Sequence, residues 1–216
     1  MKKVSSSTVA RLSLYLRVLE DAATDDVRTL SSGELAKGCA TTAAQVRKDL
    51  SVFGTFGKRG TGYPVPELVA QLRAILGLER TWRVALVGAG RIGAALLGYA
   101  DFRRQGFLID AVFDADDAKV GRTFQGHRVR TDRELEAAVA AGEIDIAIVA
   151  VPAEAAQDVV DRVVAAGVRA VLNFAPVKLR VPAGVALKNV NMAAEMEGLS
   201  FALANQERPA RRRAAC

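Results

Sequence analysis

The stretch that most narrows the choice of fold is WRVALVGAGRIGAALLGYA, residues 82–100. It opens as a short apolar strand with β-branched residues, WRVALV at 82–87. A glycine turn follows at once, GAGRIG at 88–93, and the chain then reads as a helix. G-x-G-x-x-G alone is weak, but a strand before it and a helix after it form the context that gives the pattern meaning. Gly88 permits the tight turn. Gly90 lets a pyrophosphate approach the backbone, and Gly93 allows the helix to lie close on the strand. The N–H groups at Ala89, Gly90, Arg91 and Ile92 sit where a helix N-terminus favours phosphate. A chain built this way folds as an α/β dinucleotide-binding domain with a parallel sheet.

The second strand, FLIDAVF at 107–113, runs into Asp114, twenty-one residues beyond Gly93. A carboxylate there can take both ribose hydroxyls of an adenosine and would repel a 2′-phosphate, so NAD(H) is favoured over NADP(H). The competing reading is a surface turn, since DADD is locally acid-rich. The strand–helix rhythm continues through DIAIVAVP (145–152), a helix over 153–167, VRAVLNF (168–174) and VALKNV (185–190). The loops after two of these strands should line the cofactor crevice: Val151 and Pro152 in VPAE, and Asn173, Phe174, Ala175 and Pro176 in NFAPV.

The first eighty residues read differently. Val9, Leu12, Leu16 and Leu19 recur at helical spacing, which predicts a helix from about Ser7 to Ala22. Two capping boxes follow, Ser31 with Glu34 and Thr42 with Gln45, each opening a short helix. The second of these short helices is expected to run to about Phe53. A long helix and then two short ones in quick succession outline a helix-turn-helix. On the last helix Val46, Leu50 and Phe53 share an inward face. Ala44, Lys48 and Ser51 lie opposite, with Arg47 on the flank. That face suits a groove of DNA, although a lone Arg-Lys pair also fits a solvated helix side. FGTFGKRGTGY at 53–63 tips the balance, because a glycine-hinged hairpin with Lys58-Arg59 at its tip, directly after such a helix, is a wing. It is not a phosphate-binding P-loop, since no Ser or Thr follows the Lys and the preceding segment is helical. A closing helix is expected from near Pro66.

Charge agrees with this division. Residues 1–80 hold 12 basic and 8 acidic side chains, whereas residues 81–204 hold 14 and 15. The last twelve hold four Arg and one Glu, so the net +6 sits at the two ends. No apolar run approaches the roughly 18 residues of a membrane span, and Arg11 and Arg17 interrupt the N-terminal segment, so neither a membrane anchor nor a signal peptide is expected. Two distant cysteines, Cys39 and Cys216, fit a reduced cytoplasm. A dehydrogenase needs an acid/base or a metal beside the nicotinamide. The only histidine, His127, reads as a surface or edge-strand residue. Tyr99 reads as a packing residue ending the first Rossmann helix, which leaves Lys119 as the other possible acid/base. No separate substrate domain fits. A final helix over 191–206 carries Met192, Met196, Leu199 and Leu203 on one side and points to a partner subunit. The basic end after it reads as a disordered, solvated tail, with weak attraction to DNA as the second reading. Three readings therefore compete: a DNA-binding regulator that also binds a dinucleotide, an NAD-dependent oxidoreductase with an accessory basic domain, and a regulator binding CoA or another nucleotide.

Taken together, QVRKDLSVFGTFGKRGTGYPV, GAGRIG, VFDADDAKVG, VPAEAAQ and NFAPVKL resemble, in the same order, the blocks of the bacterial Rex family of redox-sensing transcriptional repressors. The resemblance implies three parts: a winged-helix DNA-binding domain over 1–80, a Rossmann NAD(H)-binding domain over 81–190, and a dimerisation helix with a basic tail over 191–216. It implies a cytoplasmic, non-enzymatic homodimer that binds palindromic operator DNA, senses NADH and NAD⁺, and is released by NADH. The final helix would be swapped between subunits. Gln45, Arg47, Lys48, Ser51, Lys58, Arg59 and Gly60 match DNA-facing positions, and Gly88 through Gly93 with Asp114 match the dinucleotide site. Tyr99 matches a tyrosine whose placement differs between the NADH-bound and DNA-bound states. Arg17 matches an arginine that joins it in an inter-subunit network. Many members carry an aspartate after the last strand where this chain has Asn191, which removes one charge from that network.

Overall fold

A computed structural model describes residues 4–57 and 60–214. The chain forms two compact units, Met1–Arg80 and Thr81–Cys216.

In the first unit, helix α1 (Ser6–Thr24) is capped by the Ser5 hydroxyl, which accepts from the Thr8 N–H. Its buried side is Leu12, Tyr15, Leu16 and Leu19. Val9 falls outside this stripe and is exposed, because the core begins one turn later. After strand β1 (Thr29–Leu30), Ser31 and Glu34 form the expected reciprocal capping box and open α2 (Ser32–Gly38). Helix α3 (Ala43–Ser51) opens on Thr42, whose side chain accepts from the Gln45 N–H. Here the capping box is only half made. The Gln45 side chain does not turn back to the cap but donates to Asp49. Val46 and Leu50 pack inward with Leu35, Leu68 and Leu72, and Phe53 leans on the same cluster. Each such leucine contributes about 1.5–3 kcal/mol by leaving water.

Between α3 and residue 63 no strand forms among the described residues, and the Lys58-Arg59 tip of the expected hairpin lies outside them. The return strand, β2 (Tyr63–Pro64), pairs antiparallel with β1, which precedes α2 in the chain. Gly62 sits at φ +87°, where a Cβ would lie 2.7 Å from the Leu30 carbonyl oxygen, so only glycine lets the loop close onto β1. Helix α4 (Val65–Ile75), with Pro66 in its first turn, then covers α1.

The second unit is a doubly wound sheet. Its strands are β3 (Trp82–Val87), β4 (Phe107–Asp114), β5 (Thr123–Phe124), β6 (His127–Thr131), β7 (Ile146–Val149), β8 (Ala170–Asn173) and β9 (Ala186–Asn189). They lie in the order β5-β6-β4-β3-β7-β8-β9, all parallel except β5 against β6. The expected strands are all present: β3 has the expected bounds, β4 extends one residue further to Asp114, and β7, β8 and β9 are shorter, while the edge pair β5–β6 is an addition that carries His127. Helices α7 (Leu135–Ala140) and α8 (Ala153–Ala166) seal one face through Val87, Phe113, Val149 and Val160. The opposite face is covered from α5 (Arg91–Leu97) and α6 (Ala100–Arg104) by Leu96, Leu97 and Phe102. Tyr99 does not end the first Rossmann helix. It occupies the break between α5 and α6 and is half exposed, with Phe102 edge-on at 5.1 Å. Helix α9 (Met192–Ala214) runs past residue 206 and takes in most of the segment read as a tail.

Candidate functional site

The sheet order reverses at β3, since β4 lies on one side of it and β7 on the other. Ligands of open α/β sheets bind at such a switch point, beyond the C-terminal strand ends. The glycine turn stands there. Gly88 has φ +108°, and its N–H donates to the Phe113 carbonyl at 2.8 Å. A Cβ on Gly88 would fall 2.4 Å from the Ala150 carbonyl oxygen, and one on Gly93 would fall 2.3 Å from the Gly88 carbonyl oxygen. Both glycines are thus required by packing. Gly90 differs, because a Cβ there would meet nothing within 4 Å. Its bareness leaves space above the turn that the protein itself does not fill. Ala89 is buried, while Arg91 and Ile92 are exposed on the first turn of α5.

Asp114 ends β4 against this turn and is 9 % exposed. One carboxylate oxygen, Oδ2, accepts from the Ala89 N–H at 2.8 Å and the Lys119 ammonium at 3.0 Å. Oδ1 accepts from the Asp116 N–H at 2.9 Å. Burial pushes the carboxyl up, but the Asp116 N–H, the Lys119 ammonium and the Ala89 N–H together hold it below the usual range. It is therefore an anion fixed beside the glycine turn rather than a solvated turn residue. Lys119, considered as an acid/base, is instead held in this ion pair. A free carboxylate lone pair next to a turn with room over Gly90 fits the ribose and pyrophosphate of a dinucleotide.

The crest loops split in role. The Phe174 N–H donates to Val149, and the Val190 N–H to Asn173, both at 2.8 Å. Asn173 is fully buried, and its amide donates to the carbonyls of Ala175 and Val177 and to Asn189 Oδ1. Its own oxygen accepts from the Ala175 N–H. The side chain is thus used in folding the loop, while Val151, Pro152, Phe174 and Pro176 remain partly or fully accessible around the crevice. Ala175 is buried.

In the first unit, Arg47, Lys48 and Ser51 stand exposed on α3, and Gly60 is exposed beyond it. Arg47 donates to the Ser32 hydroxyl at 2.8 Å, and the Ser51 hydroxyl to the Lys48 carbonyl. Ser31, Ser32, Arg47, Phe56, Gly60 and Tyr63 line an open cleft of about 730 Å³ beside the helix. Lys58 and Arg59 lie outside the described residues. One residue here escaped sequence reasoning. Asp49 is buried at the hub of Arg11, Tyr15 and Gln45. An acid three places from Val46 on the inward face was the available sign.

Of the remaining positions, Arg17 is on the exposed side of α1. The Asn191 Oδ1 accepts from the Ala194 N–H at 3.1 Å, so Asn191 is the N-cap of α9. Arg17 belongs to one unit and Tyr99 and Asn191 to the other. Among the described residues no cluster of three or more His, Cys, Asp or Glu could hold a metal, and no helix is long and apolar enough to cross a membrane.

Two family models match: the CoA binding domain over residues 79–177 and the "Putative DNA-binding protein N-terminus" over residues 3–51. The chain is 45 % identical to the redox-sensing transcriptional repressor Rex of Desulfitobacterium hafniense over 199 residues, 92 % of this chain and 95 % of that one. It is 46 % identical to the Rex of Thermus thermophilus over 203 residues, 94 % and 95 % of the two chains. Among solved structures, the Rex-family repressor RSP in complex with β-NAD⁺ and operator DNA superposes with a TM-score of 0.90 at 36 % identity, covering 99 % of both chains. RSP in complex with β-NADH superposes with a TM-score of 0.85 at 35 % identity, covering 96 % of this chain and 97 % of the other.

Proposed function

The chain belongs to the Rex family, and from that premise we propose how its residues divide the work of a redox-sensing transcriptional repressor. It binds operator DNA, senses NADH and NAD⁺, and is not an enzyme. Arg47, Lys48, Ser51 and Gly60, with Lys58 and Arg59, meet the DNA: the cations neutralise phosphates, and the small side chains let α3 approach base edges. Gly88 to Gly93 take the pyrophosphate. Asp114 takes the adenosine ribose, and Val151, Pro152, Phe174, Ala175 and Pro176 border the crevice, with Asn173 shaping its wall. The observation that carries the dinucleotide assignment is the ionised Asp114 carboxylate held by the Ala89 N–H of the glycine turn. The same carboxylate opposes a phosphate on the ribose, which weighs against CoA and NADP(H) despite the shared Rossmann architecture.

The active species is a cytoplasmic homodimer. Met192, Met196, Leu199 and Leu203 form an exposed apolar stripe on α9, each more than 60 % accessible. A second copy swapped over this stripe would cover it, and a two-fold dimer matches a palindromic operator. Arg17, Tyr99 and Asn191 form the network that reports ligand state between subunits.

The deciding experiment is a gel shift with a palindromic A·T-rich duplex titrated with NADH and then with NAD⁺. NADH should release the complex at concentrations where NAD⁺ does not. A complex indifferent to saturating NADH would overturn the assignment.

A further inference from the structure

Asp49 is 3 % exposed, and both its oxygens are fully engaged. Oδ2 accepts from Arg11 Nε at 2.6 Å and from the Tyr15 hydroxyl at 2.9 Å. Oδ1 accepts from Arg11 Nη2 and from Gln45 Nε2, each at 2.8 Å. All of these ties run between α1 and α3 except the last, which stays within α3. An ionised carboxylate has no hydrogen to give, so the end of the Gln45 amide that meets it must be the nitrogen. That determines which way round the carboxamide lies. Among the described residues its Oε1 has no partner in the chain.

Gln45 stands in the first turn of α3, where helices of this kind reach base edges. One amide hydrogen goes to Asp49. When Asp49 takes the hydrogen on the Cγ side, the other hydrogen and Oε1 lie side by side and offer one donor and one acceptor. Adenine shows the matching pair in the major groove, N7 as acceptor and the N6 amino group as donor. With the amide reversed, Gln45 would turn one end of this edge toward the protein and lose the pattern.

We infer that Asp49 is a positioning residue for base recognition: it holds α3 on α1 and fixes the Gln45 amide in the orientation that reads adenine. This rests on the repressor function, because it needs operator DNA against α3.

The test uses full-length protein and a set of palindromic duplexes, each changed at one base pair of the half-site. Wild-type protein should show one position where A·T is preferred by about tenfold, the scale of one bidentate contact. Substituting 7-deazaadenine there, which removes N7, should lower affinity several-fold for wild type and not for Gln45→Ala. Asp49→Asn should erase the preference, since an asparagine can turn either end to Gln45. It should cost nothing further at that position in the Gln45→Ala background. NADH affinity should be unchanged throughout. Uniform weakening on all duplexes by Asp49→Asn would mean a purely structural role and sink the inference. So would a wild-type scan with no position that depends on Gln45, a measurement that stands even if Asp49→Asn fails to fold. A wild-type protein that binds no palindrome at all would bring down the repressor assignment itself.

Discussion

Asp114 shows how much one side chain can decide. It is buried enough to favour its neutral form, yet three donors keep it charged. A charged, oriented acceptor beside the glycine turn is worth roughly twice a neutral one in each hydrogen bond to a ribose hydroxyl. Asp114→Asn keeps the shape and removes the charge. NADH affinity should fall about ten- to a hundredfold, an expected loss of about 1.5–3 kcal/mol, and the preference over NADPH should shrink with it. Calorimetric titration of both nucleotides checks this, and unchanged NADH affinity would exclude Asp114 from the ribose. Gly93 decides by its lack of a side chain. A Cβ there would sit 2.3 Å from the Gly88 carbonyl oxygen and 3.2 Å from Leu86. Gly93→Ala should therefore lift α5 off β3, costing about 1–3 kcal/mol of stability, and weaken NADH binding while leaving operator affinity alone. Thermal unfolding together with NADH titration tests it. Gly90→Ala is the matched control: it meets no protein atom, so it should fold normally and lose affinity only where the ligand must approach.

At the scale of elements, the clamp between α1 and α3 makes the DNA-binding unit sensitive to acid. The Arg11 guanidinium, aided by the Tyr15 hydroxyl and the Gln45 amide, holds the Asp49 carboxyl below its ordinary 3.8, although burial works against them. Burial, together with the bond to Asp49, pushes the Tyr15 hydroxyl up to about 12, so it stays protonated. A depressed carboxyl stabilises the fold above its unfolded pKa and loses that contribution as pH falls through the lower folded value. Melting temperature should therefore drop below about pH 4, and Asp49→Asn should flatten this acid slope while costing about 1–3 kcal/mol at neutral pH. Equal slopes for the two proteins would place the acid sensitivity elsewhere. The same clamp marks the boundary of what the sequence discloses. The caps of α2 and α3, the apolar face of α3 and the strand–turn–helix at Gly88 are local patterns, and each is found where its spacing predicts. Arg11 and Asp49 are 38 residues apart, and β1 finds β2 across both short helices. No periodicity records such pairings. Hence Gln45 reads as half of a capping box until Asp49 is seen to compete for its amide. Tyr99 reads as a helix end in the sequence, whereas α5 stops two residues earlier, at Leu97.

For the whole molecule the question is how one ligand controls another. α9 exposes an apolar stripe with Met196 and Leu199 central to it, and exposed apolar patches mark contact surfaces. Leu199→Glu should convert the dimer to monomer in sedimentation at micromolar protein. It should also weaken operator binding steeply, since two half-sites are no longer read together. A dimer that survives this change would move the interface away from α9. Control by NADH then requires that it bind the DNA-incompetent arrangement more tightly, because equal affinity for both shifts nothing. Reversing a 1:99 population takes about 5.5 kcal/mol of differential affinity. NADH and NAD⁺ differ only at the nicotinamide, so if Asp114 and the glycine turn hold the shared ribose and pyrophosphate as proposed, that energy has to come from elsewhere. It must come from groups that change partners between states, and Asn191 offers a clean probe of them. Its present task is to cap α9 through the Ala194 N–H, and Asp caps a helix about as well as Asn. Asn191→Asp therefore leaves the helix start intact and adds a single charge at the position proposed to work with Arg17 and Tyr99. The ratio of NADH affinities with and without operator should change several-fold, and linkage demands that the ratio of operator affinities with and without NADH change by the same factor. Each intrinsic affinity should move less than the coupling. If the coupling holds constant while the charge is present, residue 191 acts only as a helix cap, and the discrimination between the two nucleotides must be sought among the other residues bordering the crevice.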